Sequence, residues 1–171
     1  MLEFQNVSFQ YPQDSRPMME NLSFSVEDGA FISIIGASGC GKSTIFRLIN
    51  GLEKPQKGAI FVNGRPIEQI KQYSAFMPQK DLLFPWRTIE KNICLPMELQ
   101  NISKQEQKKR CQQVLEEVGL SAYAKKYPKD LSGGMKQRIS FARTILAGAE
   151  MLLLDEPSSA LDFLTRVDMQ E

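Results

Sequence analysis

The sequence predicts an α/β domain with a helical insertion between two strands of its main sheet. Three observations carry this. Alternating apolar residues fill the first third of the chain, apolar residues at helical spacing fill the middle, and the apolar run Met151-Leu152-Leu153-Leu154 returns near the end. At 171 residues, with 42% hydrophobic and 24% charged residues, the chain is long enough for one globular domain with its own core.

The elements follow in order. Leu2, Phe4, Val7 and Phe9 alternate with one slip, which predicts a strand with a bulge. Leu22, Phe24 and Val26 alternate without a slip and predict a strand with one buried face. Tyr11-Pro12 and Asp28-Gly29 mark turns. Phe31-Ile32-Ser33-Ile34-Ile35 is short, apolar and β-branched, and reads as a buried strand. A glycine-rich turn follows, then Ile45, Leu48, Ile49 and Leu52 at helical spacing, with Gly51 as a stop. Ala59-Ile60-Phe61-Val62 before Asn63-Gly64 reads as a strand entering a hairpin, and Ser74-Ala75-Phe76-Met77 as a short strand stopped by Pro78. Thr88 caps a helix running through Leu95, which Pro96 ends or kinks. Ser103 with Glu106 predicts a capping box before a helix of about sixteen residues, with Gly119 just past its end. A third helix begins near Ser132 and carries Ile139, Ala142, Ile145 and Leu146 along one stripe. Met151–Leu154 reads as a buried strand ending at Asp155, and Leu161 to Glu171 begins another helix.

Bulk properties exclude several classes. The net charge of +1 gives no overall field favouring nucleic acid or an anionic membrane. No apolar run approaches the ~18 residues needed to cross a bilayer. Met1-Leu2-Glu3-Phe4 has no basic n-region or apolar h-region, so no secretory signal is expected. The three cysteines, Cys40, Cys94 and Cys111, have no metal spacing and fit thiols in a reducing compartment. With no histidine, the chain has no histidine base or histidine ligand. Lys104, Lys108, Lys109 and Arg110 lack interleaved aromatics and read as a solvated helix face.

The chemistry-bearing motifs begin with Gly36-Ala37-Ser38-Gly39-Cys40-Gly41-Lys42-Ser43-Thr44, which fits G-x-x-x-x-G-K-[ST]. A strand, a glycine-rich turn and a helix in that order place backbone N–H groups and a helix N-terminus around an anion. Lys42 can reach the β- and γ-phosphates of a nucleotide, and the Ser43 hydroxyl can ligate Mg²⁺. Asp155 stands at the carboxyl end of an apolar strand, where it can support Mg²⁺ through water. Glu156, one residue on, can orient and deprotonate a water attacking the γ-phosphate. Leu131-Ser132-Gly133-Gly134-Met135 places a hydroxyl and free amides at another helix N-terminus, although alone it reads as a capped turn.

Together these elements resemble the ATP-binding-cassette ATPase family over nearly the whole chain. Gly36–Thr44 matches the family's Walker A loop and Met151–Asp155 its Walker B strand, with Glu156 at the position of the catalytic glutamate. Leu131–Met135 resembles the signature LSGGQ, Gln79 the Q-loop glutamine, Ser159-Ala160-Leu161-Asp162 the D-loop, and Tyr11 the aromatic that stacks on adenine. The resemblance implies a P-loop NTPase (RecA-like) core with an N-terminal antiparallel β subdomain and an inserted α-helical subdomain, C-terminally truncated. The core with its β subdomain is expected over 1–87 and 146–171, and the helical subdomain over 88–145. It implies catalytic roles for Glu156, Gln79 and Lys42, and Mg²⁺ contacts from Ser43, Gln79 and Asp155. ATP is expected against Tyr11, Gly36, Ser38, Gly39, Cys40, Gly41, Lys42, Ser43 and Thr44. Ser132, Gly133 and Gly134 are expected to meet the γ-phosphate bound by a second copy, in a head-to-tail homodimer.

The wording LLFPWRTIEKNI resembles importer ATPases of the nitrate, sulfonate and taurine group, whose relatives include handlers of thiamine precursors. That implies a peripheral subunit on the cytoplasmic face of the inner membrane, working with a transmembrane permease and a substrate-binding protein and with no nucleic acid. Trp86 within it reads equally as core packing or as part of the permease-facing surface. Alternatives are a soluble non-transport member of the family, a nucleotide-binding fragment with little turnover, and another P-loop enzyme such as a small-molecule kinase. Gln79 and Leu131 stand too close for the long coiled coil of the DNA-repair members. Two departures stand out: Met135 replaces the signature glutamine, and the family's switch histidine and last core strand are missing. They predict a fragment that binds MgATP, turns it over slowly and leaves a sheet edge and an apolar face partly uncovered.

Overall fold

The computed structural model of the chain describes residues 1–70 and 72–157, so the expected helix from Leu161 and the Ser159–Asp162 motif lie outside the described residues. Packing divides the chain into two units, Met1–Ser74 and Ala75–Glu171.

The first unit is built on β1 (Leu2–Phe9), β2 (Met19–Val26), β3 (Lys57–Val62) and β4 (Arg65–Pro66), an antiparallel sheet in the order β2-β1-β3-β4. β1 lies inside the sheet, and its alternation is expressed as burial: Leu2, Phe4, Val7 and Phe9 are all buried. The slip between Phe4 and Val7 is a bulge. The register shifts there against both neighbours, Asn6 turns to φ 50°, and its N–H donates to Ser23 Oγ at 2.8 Å. β3 meets the bulge with Gly58 at φ 75°, where a Cβ would sit 2.3 Å from the carbonyl oxygens of Gln5 and Asn6. Gly58→Ala is therefore expected to cost about 3 kcal/mol, through a backbone collision and a disfavoured φ together. A urea melt reads this, and a loss under about 1 kcal/mol would show that the bulge yields easily.

β2 buries its alternating residues only halfway, with Phe24 stacked on Phe4 at a ring separation of 4.5 Å. Asn63 (φ 49°) and Gly64 (φ 74°) make the left-handed two-residue turn expected between β3 and β4. Helix α1 (Lys42–Ile49) follows the glycine-rich loop. The strand expected over Phe31–Ile35 does not form. Among the described residues neither sheet includes it, and Phe31 and Ile35 are 79% and 91% exposed. An apolar β-branched run needs neighbouring strands to take up its backbone groups, and none does so here.

The second unit holds α2 (Ile89–Leu99), α3 (Lys104–Glu117) and α4 (Gly133–Ile145), with β5 (Ser74–Met77) paired to β6 (Met151–Leu154). Thr88 caps α2 by accepting from the Lys91 N–H, but Pro96 does not end the helix. Proline removes one backbone donor, whereas Ile93 and Met97 on either side are fully buried in the helical core and hold the last turn. In α3 the capping box is half formed: Ser103 Oγ accepts from Glu106 N–H, while the Glu106 carboxylate accepts from Arg110 Nε at 2.6 Å instead of turning back. Gly119 closes α3 as expected, with Leu120 N–H donating to Leu115 O and Gly119 N–H to Glu116 O. Ile89, Ile93, Met97, Val114, Leu115 and Ile139 form the core of the three helices. Cys94 and Cys111 lie in the same core as free thiols. β6 is less buried than its apolar run predicts. Leu153 is buried but Leu152 is 42% exposed, because β6 has one paired neighbour among the described residues.

Candidate functional site

The loop before α1 is shaped for an anion. Gly41 precedes the helix at φ 97°, a conformation that glycine adopts without strain, with Met18 packed against it. No side chain caps the first turn and no acid stands in it, so its N–H groups face outward without a competing carboxylate. The Lys42 ammonium donates to Gly36 O and Ala37 O, both at 2.8 Å, which holds it across the loop mouth. Ser43 is exposed in the first turn. Thr44 is buried and shares a 3.1 Å hydrogen bond with the Tyr11 hydroxyl, while the Tyr11 ring meets Phe9 edge-on at 4.8 Å. The first unit thus brings Tyr11 to the helix that the loop feeds. Cys40 is exposed, with Sγ 3.9 Å from Lys42 Nζ and close enough to Gly36 that a Cβ there would lie 2.6 Å from it.

The second unit brings the other candidates together at the ends of β5 and β6. Asp155 N–H donates to Met77 O at 2.9 Å, extending the pairing of the two strands by one residue. Gln79 and Glu156, each just beyond a strand, then meet: Gln79 Nε2 donates to Glu156 Oε2 at 2.5 Å. Glu156 is exposed and sits at φ 52°, a left-handed backbone that a glutamate adopts only where its surroundings impose it. Ser132 is the N-cap of α4, its Oγ accepting from Met135 N–H at 3.3 Å, and no acid occupies the first turn. Met135 supplies that amide through its backbone, so the missing glutamine side chain does not affect the cap. Gly133 and Gly134 share with Gln79 and Asp81 the wall of an open cleft of about 680 Å³.

Trp86 is 71% exposed and leans on Phe84 at 5.1 Å, which decides against core packing. Its loop is tied down by Asn92, a fully buried residue that the sequence reading missed. Asn92 Oδ1 accepts from Phe84 N–H at 2.7 Å, and Nδ2 donates to the carbonyls of Phe84, Arg87 and Thr88 at 3.1 Å. The available signal was an amide beside Ile89 and Ile93 on the buried stripe of α2, where only a fully bonded polar group is tolerated.

The profile of the family described as ABC transporter matches residues 19–159. The chain belongs to that family. This ABC transporter chain is 43% identical over 169 residues to the formylaminopyrimidine import ATP-binding protein ThiZ of Halalkalibacterium halodurans, a match covering 99% of this chain and 65% of that protein. It is 44% identical over 160 residues to the aliphatic sulfonates import ATP-binding protein SsuB 2 of Agrobacterium fabrum, covering 92% of this chain and 59% of the relative. The cassette thus spans about three-fifths of the length of the curated relatives it matches. Among solved structures, the ATP-binding cassette MJ0796, in a dimeric post-hydrolysis state bound to ADP and Pi, superposes with a TM-score of 0.86 at 25% identity, covering 99% of this chain and 84% of that one.

Proposed function

We propose that this chain is the ATP-binding and ATP-hydrolysing part of an importer subunit that powers uptake of a small solute of the sulfonate, taurine, nitrate or thiamine-precursor kind. The observation that carries the reading is the phosphate loop: a lysine ammonium held across its mouth by two carbonyls, before a helix with neither cap nor acid in its first turn. The importer assignment is supported by the names of the relatives, which are import ATP-binding proteins.

Each residue would take the role its chemistry suits. Tyr11 offers a ring for the adenine beside the loop. Gly36, Ser38, Gly39, Cys40, Gly41 and Thr44 wrap the phosphates with backbone amides, and Lys42 neutralises their charge. Glu156 takes a proton from the attacking water, and Gln79, already hydrogen-bonded to it, holds that water and its carboxylate in line. Ser43, Gln79 and Asp155 would hold Mg²⁺. Among the described residues no three His, Cys, Asp or Glu side chains cluster as a metal site. A hydroxyl, an amide and one carboxylate instead suit a hard cation that keeps water and phosphate oxygens as ligands. When bound, the ion supplies charge neutralisation at the transferred phosphoryl group.

The dimeric state of the solved relative supports a dimer of this chain. In a head-to-tail homodimer Ser132, Gly133 and Gly134 of one copy would face the nucleotide of the other. Among the described residues no helix is long and apolar enough to cross a membrane. A peripheral place on the cytoplasmic face, docked to a permease served by a substrate-binding protein, follows from the importer reading. The exposed apolar side chains of Leu82 and Trp86 support that docking. For the division of labour, residues 1–87 with 146–171 serve as nucleotide-binding core and 88–145 as helical subdomain.

The test is co-purification from native membranes. A multi-span membrane protein is expected to accompany the chain, and MgATP is expected to bind at micromolar to millimolar levels. Failure to bind MgATP overturns the reading, and binding without a membrane partner turns it toward a soluble ATPase. Thiol labelling gives a second check. Cys94 and Cys111 are buried in the helical core while Cys40 is exposed, so Cys40 is the thiol a reagent reaches first. One maleimide is expected to add at Cys40 and to block nucleotide binding, and saturating MgATP is expected to slow it. Labelling indifferent to MgATP would place the phosphates elsewhere.

A further inference from the structure

The segment just after Gln79 is fastened to α4 by two side chains that have no part in the phosphate site. Ser140 Oγ donates to Asp81 O at 3.0 Å. Arg143 Nη2 donates to the same carbonyl at 2.9 Å and Nη1 to Leu82 O at 3.0 Å. The two residues stand three apart on α4 and so share one helix face. A guanidinium on two successive carbonyls fixes both the place and the orientation of a peptide, because its donors are rigidly splayed. Leu82 needs such a hold. Its backbone is left-handed at φ 44° and its side chain is 60% exposed, so side-chain burial does not impose the turn. The Asp81 carboxylate is turned to its own loop, accepting from Leu83 N–H at 3.1 Å. Burial draws the Arg143 pKa down while nearby Asp81 opposes the fall, as for a cation placed among carbonyls instead of in water.

We propose that Arg143, with Ser140, is a positioning residue for Gln79: it latches the Gln79 segment to the helix whose N-terminus carries Ser132. Gln79 then reaches Glu156 from a fixed base, and any shift of α4 is passed to it. The proposal rests on the reading of Gln79 as a group that orients the attacking water.

Amide hydrogen exchange on the nucleotide-free chain reads the latch, and steady-state MgATP hydrolysis reads its consequence. Arg143→Ala is expected to speed exchange over residues 79–84 roughly tenfold or more, the scale set by hydrogen bonds from a charged donor, while α2 and α3 stay protected. The same variant is expected to lose roughly tenfold in kcat with KM changed less than about twofold, the pattern of a lost transition-state interaction. Arg143→Lys, which keeps the charge but not the fork, is expected to fall between. In a Gln79→Ala background Arg143→Ala is expected to add nothing, since both changes remove one function. Unchanged exchange over 79–84, loosening spread evenly over all three helices, or losses that add to those of Gln79→Ala would each overturn the proposal. A wild-type chain that hydrolyses no MgATP overturns the proposed function and the role of Gln79 with it, whereas normal hydrolysis with unchanged exchange overturns the latch alone.

Discussion

Lys42→Ala is expected to weaken MgATP binding by about 2–4 kcal/mol, roughly 30- to 1000-fold, while shifting the melting temperature by no more than about 2 °C. The two halves of this expectation have separate causes. The ammonium bonds only its own loop, two carbonyls and at longer range Cys40 Sγ, at an exposed mouth, and losing it returns Gly36 O and Ala37 O to water. The fold therefore loses little. A bound triphosphate would lose its one direct lysine partner in a loop whose other donors are neutral amides. Calorimetric titration with MgATP, beside a thermal melt, separates the effects. Unchanged affinity would remove the basis of the functional reading, and a collapsed melting temperature would show that Lys42 stabilises the loop more than these bonds suggest.

Glu156→Gln is expected to lower kcat for MgATP hydrolysis by about 10²–10⁴-fold with binding preserved within a few-fold. The amide matches the carboxylate in size and still offers an oxygen to the Gln79 side chain, so the 2.5 Å contact has a neutral counterpart. It cannot accept the proton of the attacking water. The left-handed backbone at this position treats glutamine and glutamate alike, which keeps the comparison free of conformational strain. Phosphate release from the variant measures the loss. A rate equal to wild type would assign the base to another group.

The local signals in the sequence were those with a physical code of short range. The slip in β1, the Asn63-Gly64 turn, the Thr88 and Ser132 caps and the Gly119 stop all depend on a few adjacent residues, and all are present. Other outcomes depend on distant partners. Phe31–Ile35 is apolar enough for a strand, but pairing is supplied from outside the segment. Pro96 was expected to end or kink α2, and of these the ending does not occur, because the burial of Ile93 and Met97 outweighs one lost backbone bond. The meeting of Gln79 with Glu156 was legible only as a family resemblance, because 77 positions separate them and no periodicity connects them. Arg143 carried no mark at all, since an arginine on a half-buried helix face looks the same whether it meets a carbonyl or water.

The knot around Asn92 has an optical consequence. Its amide holds the Phe84–Thr88 backbone at both ends, so the chain's single indole stands in solvent on a platform that does not need to reorganise. Its emission should be that of a wet fluorophore in the isolated chain and should shift to shorter wavelength when another surface covers it. The molecule thereby carries a built-in, unlabelled reporter of contact on that face, free of interference from any second tryptophan.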